Sequence, residues 1–266
     1  MTATGALFNI TDFFQLMQQY WWPFCRFMAL FSMAPLLNHR AISVRFRILL
    51  ALLMSLTLAR LLPQVPEISP ISVMGALITV EQVFFGLILG LMLQLVFTTF
   101  SVIGEVISTQ MGMAMARYND PTNGVSSSSI IYQVYFILLI FLLLTIDGHL
   151  LMVNVLYQSF IYWPVGSGLL TLDVRFFLAS VAWVFSAAVL ITLPVVFCMT
   201  LVQFTFGLLN RISPTMNLFS LGFPITILMG IFCIYITLPN MAEGYLRLTR
   251  ELLENIGVIL LEARNG

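Results

Sequence analysis

Residues able to carry chemistry are few and scattered in this chain. The two histidines, His39 and His149, have no metal-ligand neighbour at helical spacing. The three cysteines, Cys25, Cys198 and Cys233, lie far apart inside apolar runs, with no CxxC or Cys/His spacing, and read as buried free thiols. Glu81, Glu105 and Asp147 could be the ion ligands of a secondary transporter, because an ionisable group inside a membrane is functional by default. That reading requires repeat symmetry or broken helices around a midplane site, and no clear internal repeat is visible. Glu81 and Glu105 instead bracket an uncharged window of bilayer length, Gln82 to Gly104, and an interfacial position accounts for both more simply. The "DGH" of Asp147 to His149 reads as a turn or hinge containing Gly148 rather than a proton relay. No GxSxG, HExxH or P-loop pattern and no nucleophile–base arrangement occurs, so the expectation is no enzyme, no cofactor and no metal.

One stretch stands apart: "STQMGMAMARYNDPTNGVSSSS", Ser108 to Ser129, between two apolar runs. Met111, Met113 and Met115 alternate with Gly112, Ala114 and Ala116. On a helix, neighbours two apart sit some 200° round, so these methionines form no single buried stripe. Methionine is flexible and polarizable, which suits either a loosely packed core or a seal against varied shapes. Beyond them the chain must turn: Pro121 disfavours helix at Asp120, and Gly124 permits a positive φ. A second pattern, "GLILG" (Gly86 to Gly90), is a GxxxG in an apolar helix, which lets another backbone approach closely.

The elements that hold these residues are apolar. Of 266 residues 60% are hydrophobic and 8% charged, where a soluble domain has about 25% charged. Such a chain must turn apolar surface towards lipid or protein partners. The net charge is zero and the cations are all arginine, which gives no nucleic-acid footprint. No basic residue precedes Arg26, so the N-terminus does not read as a signal peptide and is expected to stay on the mature protein.

Apolar segments run from Phe13 to Leu37, interrupted by Pro23 and Arg26, and from Ile48 to Leu62, after a link carrying Arg40, Arg45 and Arg47. A third extends from Ile71 to about Arg117, too long for one simple span, and a fourth from Ile130 to Ile161, broken by "DGH". Phe176 to Asn210 is charge-free with Pro194 in mid-run, and Leu218 to Leu238 is ended by Pro239. A tail from Met241 to Arg264 is amphipathic, with Glu243/Arg247, Arg247/Glu251 and Arg250/Glu254 at i,i+4. The fold class is therefore all-α: hydrophobic, membrane-associated helical hairpins, about six long apolar helices and a C-terminal amphipathic helix. The arginines of the first link place it in the cytoplasm, with 111–129 and 210–217 on the same side and the N-terminus outside.

Three ordered motifs, "GEVISTQMGMAMARYNDP", "LTIDGHLLM" and "NRISPTMNLFSLGFPITI", carry a resemblance to the FliR family of type III secretion export-gate subunits, flagellar and injectisome. The likeness covers most of the chain, including the arginine link and the tail. It implies a structural pore or gate subunit of the flagellar export apparatus, in the bacterial inner membrane within the basal body. It also implies a larger spiral assembly with FliP and FliQ subunits, association with FlhB, contact with lipid, and passage of exported unfolded flagellar proteins. Two parts are implied, a FliP-like residues 1–174 with the pore plug in 108–129, and a FliQ-like hairpin and tail in 175–266. The plug residues would be Met111, Gly112, Met113, Ala114, Met115, Arg117, Tyr118, Asp120 and Pro121. The cytoplasmic hairpin tip would hold Asn210, Arg211, Pro214 and Asn217.

Overall fold

The computed structural model describes residues 10–39, 42–59, 61, 66, 68–113, 130–168, 174–212 and 218–265. Among them are seven helices: α1 (Ile10–Met33), α2 (Val44–Leu58), α3 (Val73–Gln110), α4 (Ile130–Thr145), α5 (Gly148–Tyr162), α6 (Val174–Ile212) and α7 (Leu218–Asn265). The described chain is all-α. Three stretches, Val73–Gln110, Leu178–Ile212 and Gly222–Leu252, are long and apolar enough to cross a membrane, and the broken pair α4 and α5 would make a fourth. The 38 residues of α3 run about 57 Å, against a hydrocarbon core of about 30 Å.

Local chemistry sets several boundaries. The Ser43 hydroxyl accepts from Phe46 N–H and caps α2, so the helix begins inside the arginine link, four residues before the apolar run. Arginine is a good helix former, and hydropathy alone hides this start. Ser72 caps α3 in the same way, accepting from Gly75 N–H at 2.9 Å. The "DGH" break is a turn: α4 ends at Thr145, and Asp147 adopts φ 52 in the left-handed region before α5.

The final apolar run and the amphipathic tail are one helix. α7 passes through Pro224 and Pro239 for 48 residues, so Pro239 does not end it. A proline removes one backbone bond from a helix interior. Breaking the helix among apolar surroundings would instead strip partners from several backbone groups.

The helices gather into two compact units. The first holds α1, α2, α3 as far as Gln94, and α5. Its core contains Trp22, Phe27, Leu30, Phe85, Phe160 and Trp163, with Phe85 stacked on Trp163 at 5.0 Å between ring centres. The second holds α3 from Leu95, α4, and α6 and α7 from Leu178 to Glu251. Its core centres on Phe97, Phe100, Tyr135 and Tyr245, with Phe97 edge-on to Tyr245 at 6.0 Å.

Candidate functional site

The methionine-rich segment starts in the second unit, where α3 ends. Met111 N–H still bonds Ile107 C=O at 2.9 Å, and the next residue, Gly112, takes φ 77. That left-handed residue turns the chain off the helix axis as a glycine C-terminal stop does. Met111 is 1% exposed. Its side chain lies on Gly230 of α7, occupying the space where a Cβ would stand. The Thr226 hydroxyl, one turn earlier on α7, donates to Met111 C=O at 3.3 Å. From α6, the Gln203 side-chain amide donates to Gln110 C=O at 2.9 Å and to its Oε1 at 3.3 Å. Met113 is half-buried. Of the remaining plug residues named from sequence, Ala114, Met115, Arg117, Tyr118, Asp120 and Pro121 lie outside the described residues, as do Pro214 and Asn217 of the hairpin tip. Asn210 and Arg211 are exposed in the last turn of α6.

The two glycines of the GxxxG pattern face α1 in the first unit. A Cβ on Gly86 would fall on the Arg26 backbone oxygen and 2.7 Å from the Cβ of Ala29. On Gly90 it would stand 2.8 Å from Leu30 C=O and 2.7 Å from the Cβ of Met33. Absent side chains let α1 and α3 touch backbone to backbone, as small residues do between membrane helices.

Beside that contact lies a polar cluster that sequence reasoning passed over. Arg26 is fully buried, and its guanidinium uses three nitrogens: Nε donates to Gln82 Oε1 at 2.8 Å, one terminal nitrogen to Ser159 Oγ at 3.2 Å, the other to Trp163 C=O at 3.0 Å. The guanidinium carbon stands 4.0 Å from the Phe160 ring centre and 5.0 Å from that of Phe85. Gln82 turns its amide nitrogen to Glu81 Oε1 at 3.2 Å. The Glu81 carboxylate also accepts from the backbone N–H of Gly166 at 3.0 Å and of Gly168 at 3.3 Å. Glu81 is thus buried and hydrogen-bonded inside the unit. Arg26 showed in the sequence only as an interruption of an apolar run. Its partners Ser159 and Trp163 lie 133 and 137 residues away, so no local pattern could flag them.

The other chemistry-bearing residues do not converge. Glu105, Asp147 and His149 are exposed, as is His39. Cys25 and Cys233 are buried and Cys198 exposed, all as free thiols. Buried free thiols therefore describe two of the three, not Cys198. Among the described residues, no group of three or more His, Cys, Asp or Glu could hold a metal ion. A cavity of about 370 Å³ in the second unit is lined by Ile107, Tyr135, Pro194, Thr237, Glu243 and Arg247 among others.

Long apolar helices with close glycine contacts define an all-α membrane protein. The chain belongs to the bacterial export proteins, family 1, whose model matches residues 17–252. It is 36% identical over 234 residues to a flagellar biosynthetic protein FliR of Pectobacterium carotovorum subsp. carotovorum, covering 87% of this chain and 88% of that one. It is 33% identical over 248 residues to a FliR of Buchnera aphidicola subsp. Baizongia pistaciae, covering 92% and 95%. To a FliR of Escherichia coli (strain K12) it is 28% identical over 244 residues, covering 91% and 93%.

Proposed function

We propose that this chain is a structural subunit of the flagellar protein-export apparatus that helps form, and at rest closes, the export pore. Family membership across residues 17–252 carries the first part. Relatives that share 28–36% of their residues with it are flagellar biosynthetic proteins. The gate role rests on the start of the methionine-rich segment, which leaves α3 at Gly112 with its root fastened to α6 and α7.

In this reading residues 111–121 form the closing element. Small residues fit a narrow lumen and methionines seal without fixed geometry. Opening needs displacement, not covalent change. Gly86 and Gly90 pack α3 on α1. Residues 175–266, which hold α7 and all of α6 but its first residue, form the FliQ-like hairpin and tail, whose tip at Asn210, Arg211, Pro214 and Asn217 faces the cytoplasm. FliP and FliQ subunits complete the pore and FlhB associates with it, in the bacterial inner membrane. The abundant exposed apolar side chains on α2, α6 and α7, among them Leu49, Phe197, Phe204 and Ile231, support partners or lipid on those faces.

The test is co-expression with FliP and FliQ, purification in mild detergent and native mass measurement. The expected species holds this chain within a complex several times its own 29.9 kDa. A lone chain under those conditions contradicts the proposal.

A further inference from the structure

We propose that the cavity of the second unit binds one phospholipid with a primary-amine headgroup. Its chain lies among α3, α4, α6 and α7, and Arg247 and Glu243 hold its phosphate and its ammonium. The site holds whether or not residues 111–121 close a pore.

The cavity, of about 370 Å³, has the size of a small-ligand cleft. Its walls grade from apolar to charged. Ile103 and Ile107 of α3, Tyr135 of α4 and Val195 of α6 are buried and form its inner side. On α7 the lining residues Thr237, Asn240, Gly244 and Arg247 recur every three or four positions. They make one stripe about 15 Å long. At its foot the Tyr135 and Thr237 hydroxyls bond each other, which leaves that end suited to hydrocarbon. Glu243 and Arg247 stand at the other end, one turn apart and both exposed. Their i,i+4 spacing allows an ion pair. Among the described residues, however, neither makes one. Two opposite charges open at one mouth fit a zwitterion, with phosphate on the guanidinium fork and ammonium on the carboxylate.

Pro194 adds an acceptor. It sits inside α6 and has no N–H, so the Leu190 carbonyl, four residues back, loses its helical donor. Both residues line the cavity. Trp183 bonds Glu251, and Cys198 bonds Cys233, so α6 and α7 run antiparallel with Leu190 level with Gly244, next to Glu243. An ammonium on Glu243 thus has a second acceptor at its own level.

The surroundings and the volume favour lipid over a neighbouring helix. α3, α6 and α7 hold stretches long and apolar enough to cross a membrane, and α6 exposes Leu190, Leu193 and Phe197 beside the cavity. Arg247 stands five residues before the end of the apolar stretch Gly222–Leu252, about 8 Å, which suits the headgroup region. A helix about 10 Å across would need about three times the cavity's volume over the same length. A single hydrocarbon chain is slender enough.

The experiment is native mass spectrometry of the full chain, alone and in complex with its partner subunits. Both are released from nanodiscs holding equal parts of phosphatidylethanolamine, phosphatidylglycerol and phosphatidylcholine. The wild type is expected to retain phosphatidylethanolamine about tenfold over the other two, in both forms. Arg247→Gln should lower retention of every phospholipid about tenfold. Glu243→Gln should abolish the preference for phosphatidylethanolamine over phosphatidylglycerol. Val195→Trp, which fills the inner end, should lose the lipid altogether. If that variant does not fold, the two substitutions of exposed charges keep the test open. Equal retention of the three headgroups, or a preference that both charge variants leave unchanged, overturns the proposal. So does a lipid held by the lone chain and lost in the complex, which would mean that a partner subunit fills the cavity.

Discussion

Arg26 and Glu81 meet through one amide. Gln82 accepts from Arg26 Nε at 2.8 Å and donates to Glu81 Oε1 at 3.2 Å. Arg26 also donates to Ser159 Oγ of α5 and to Trp163 C=O just after it, and Glu81 accepts from the N–H groups of Gly166 and Gly168. The cluster therefore ties α1 and α3 to α5 and to residues 163–168.

Removing the cation should be severe. Arg26→Ala strands Gln82 Oε1 and Trp163 C=O in a dry core and withdraws the partner charge from Glu81. The expected loss is about 3–5 kcal/mol, a large part of a typical fold's stability. Arg26→Lys should recover little, because one ammonium cannot reproduce a three-nitrogen fork. Yield and melting temperature of the purified complex check this. A lysine variant as stable as wild type would contradict the fork.

Glu81→Ala should cost about 1 kcal/mol by removing the carboxylate that accepts from the Gly166 and Gly168 N–H groups, since Gly166 is exposed and water can replace that acceptor. Hydrogen exchange at residues 166–168 should rise with it. Unchanged exchange would mean the carboxylate is not what holds that segment.

The same acids separate a gate from an ion-coupled transporter. Glu105→Gln and Asp147→Asn neutralise two exposed carboxylates. Asparagine also tolerates the left-handed backbone that Asp147 adopts. Both variants should assemble and export flagellar substrates at near wild-type rates. Assembled complexes that fail to export would restore the transporter reading.

Gly86→Val should fail to assemble. Its branched side chain meets backbone on α1, which cannot rotate away as a side chain can. Gly207, with nothing within 4 Å of a built Cβ, is the control: Gly207→Ala should be tolerated. Native mass of the two variants checks the contrast, and equal tolerance would remove the close-packing role of Gly86.

The sequence showed the helices because apolar runs and breakers are local signals. The chain breaks at Asp147, and α3 exceeds a bilayer as expected, though it ends at Gln110 rather than near Arg117. It misplaced two boundaries for a physical reason. Arg45 and Arg47 look like a link by hydropathy yet sit in α2 behind the Ser43 cap, and Pro239 looks like a stop yet lies inside α7. Met111 and the glycines at 86 and 90 drew notice from composition and spacing. Arg26, Gln203 and Gly230 did not, because what matters about each is a neighbour brought by folding. Gln203 lies 93 residues from Gln110, and Thr226 lies 115 from Met111.

The central claim is that residues 111–121 close a pore. The direct measurement is ion conductance of the purified complex in planar bilayers, wild type against a deletion of 111–121, with equal assembly established by mass. The wild type should be nearly silent and the deletion should conduct steadily. Equal conductance from the two complexes would contradict the claim.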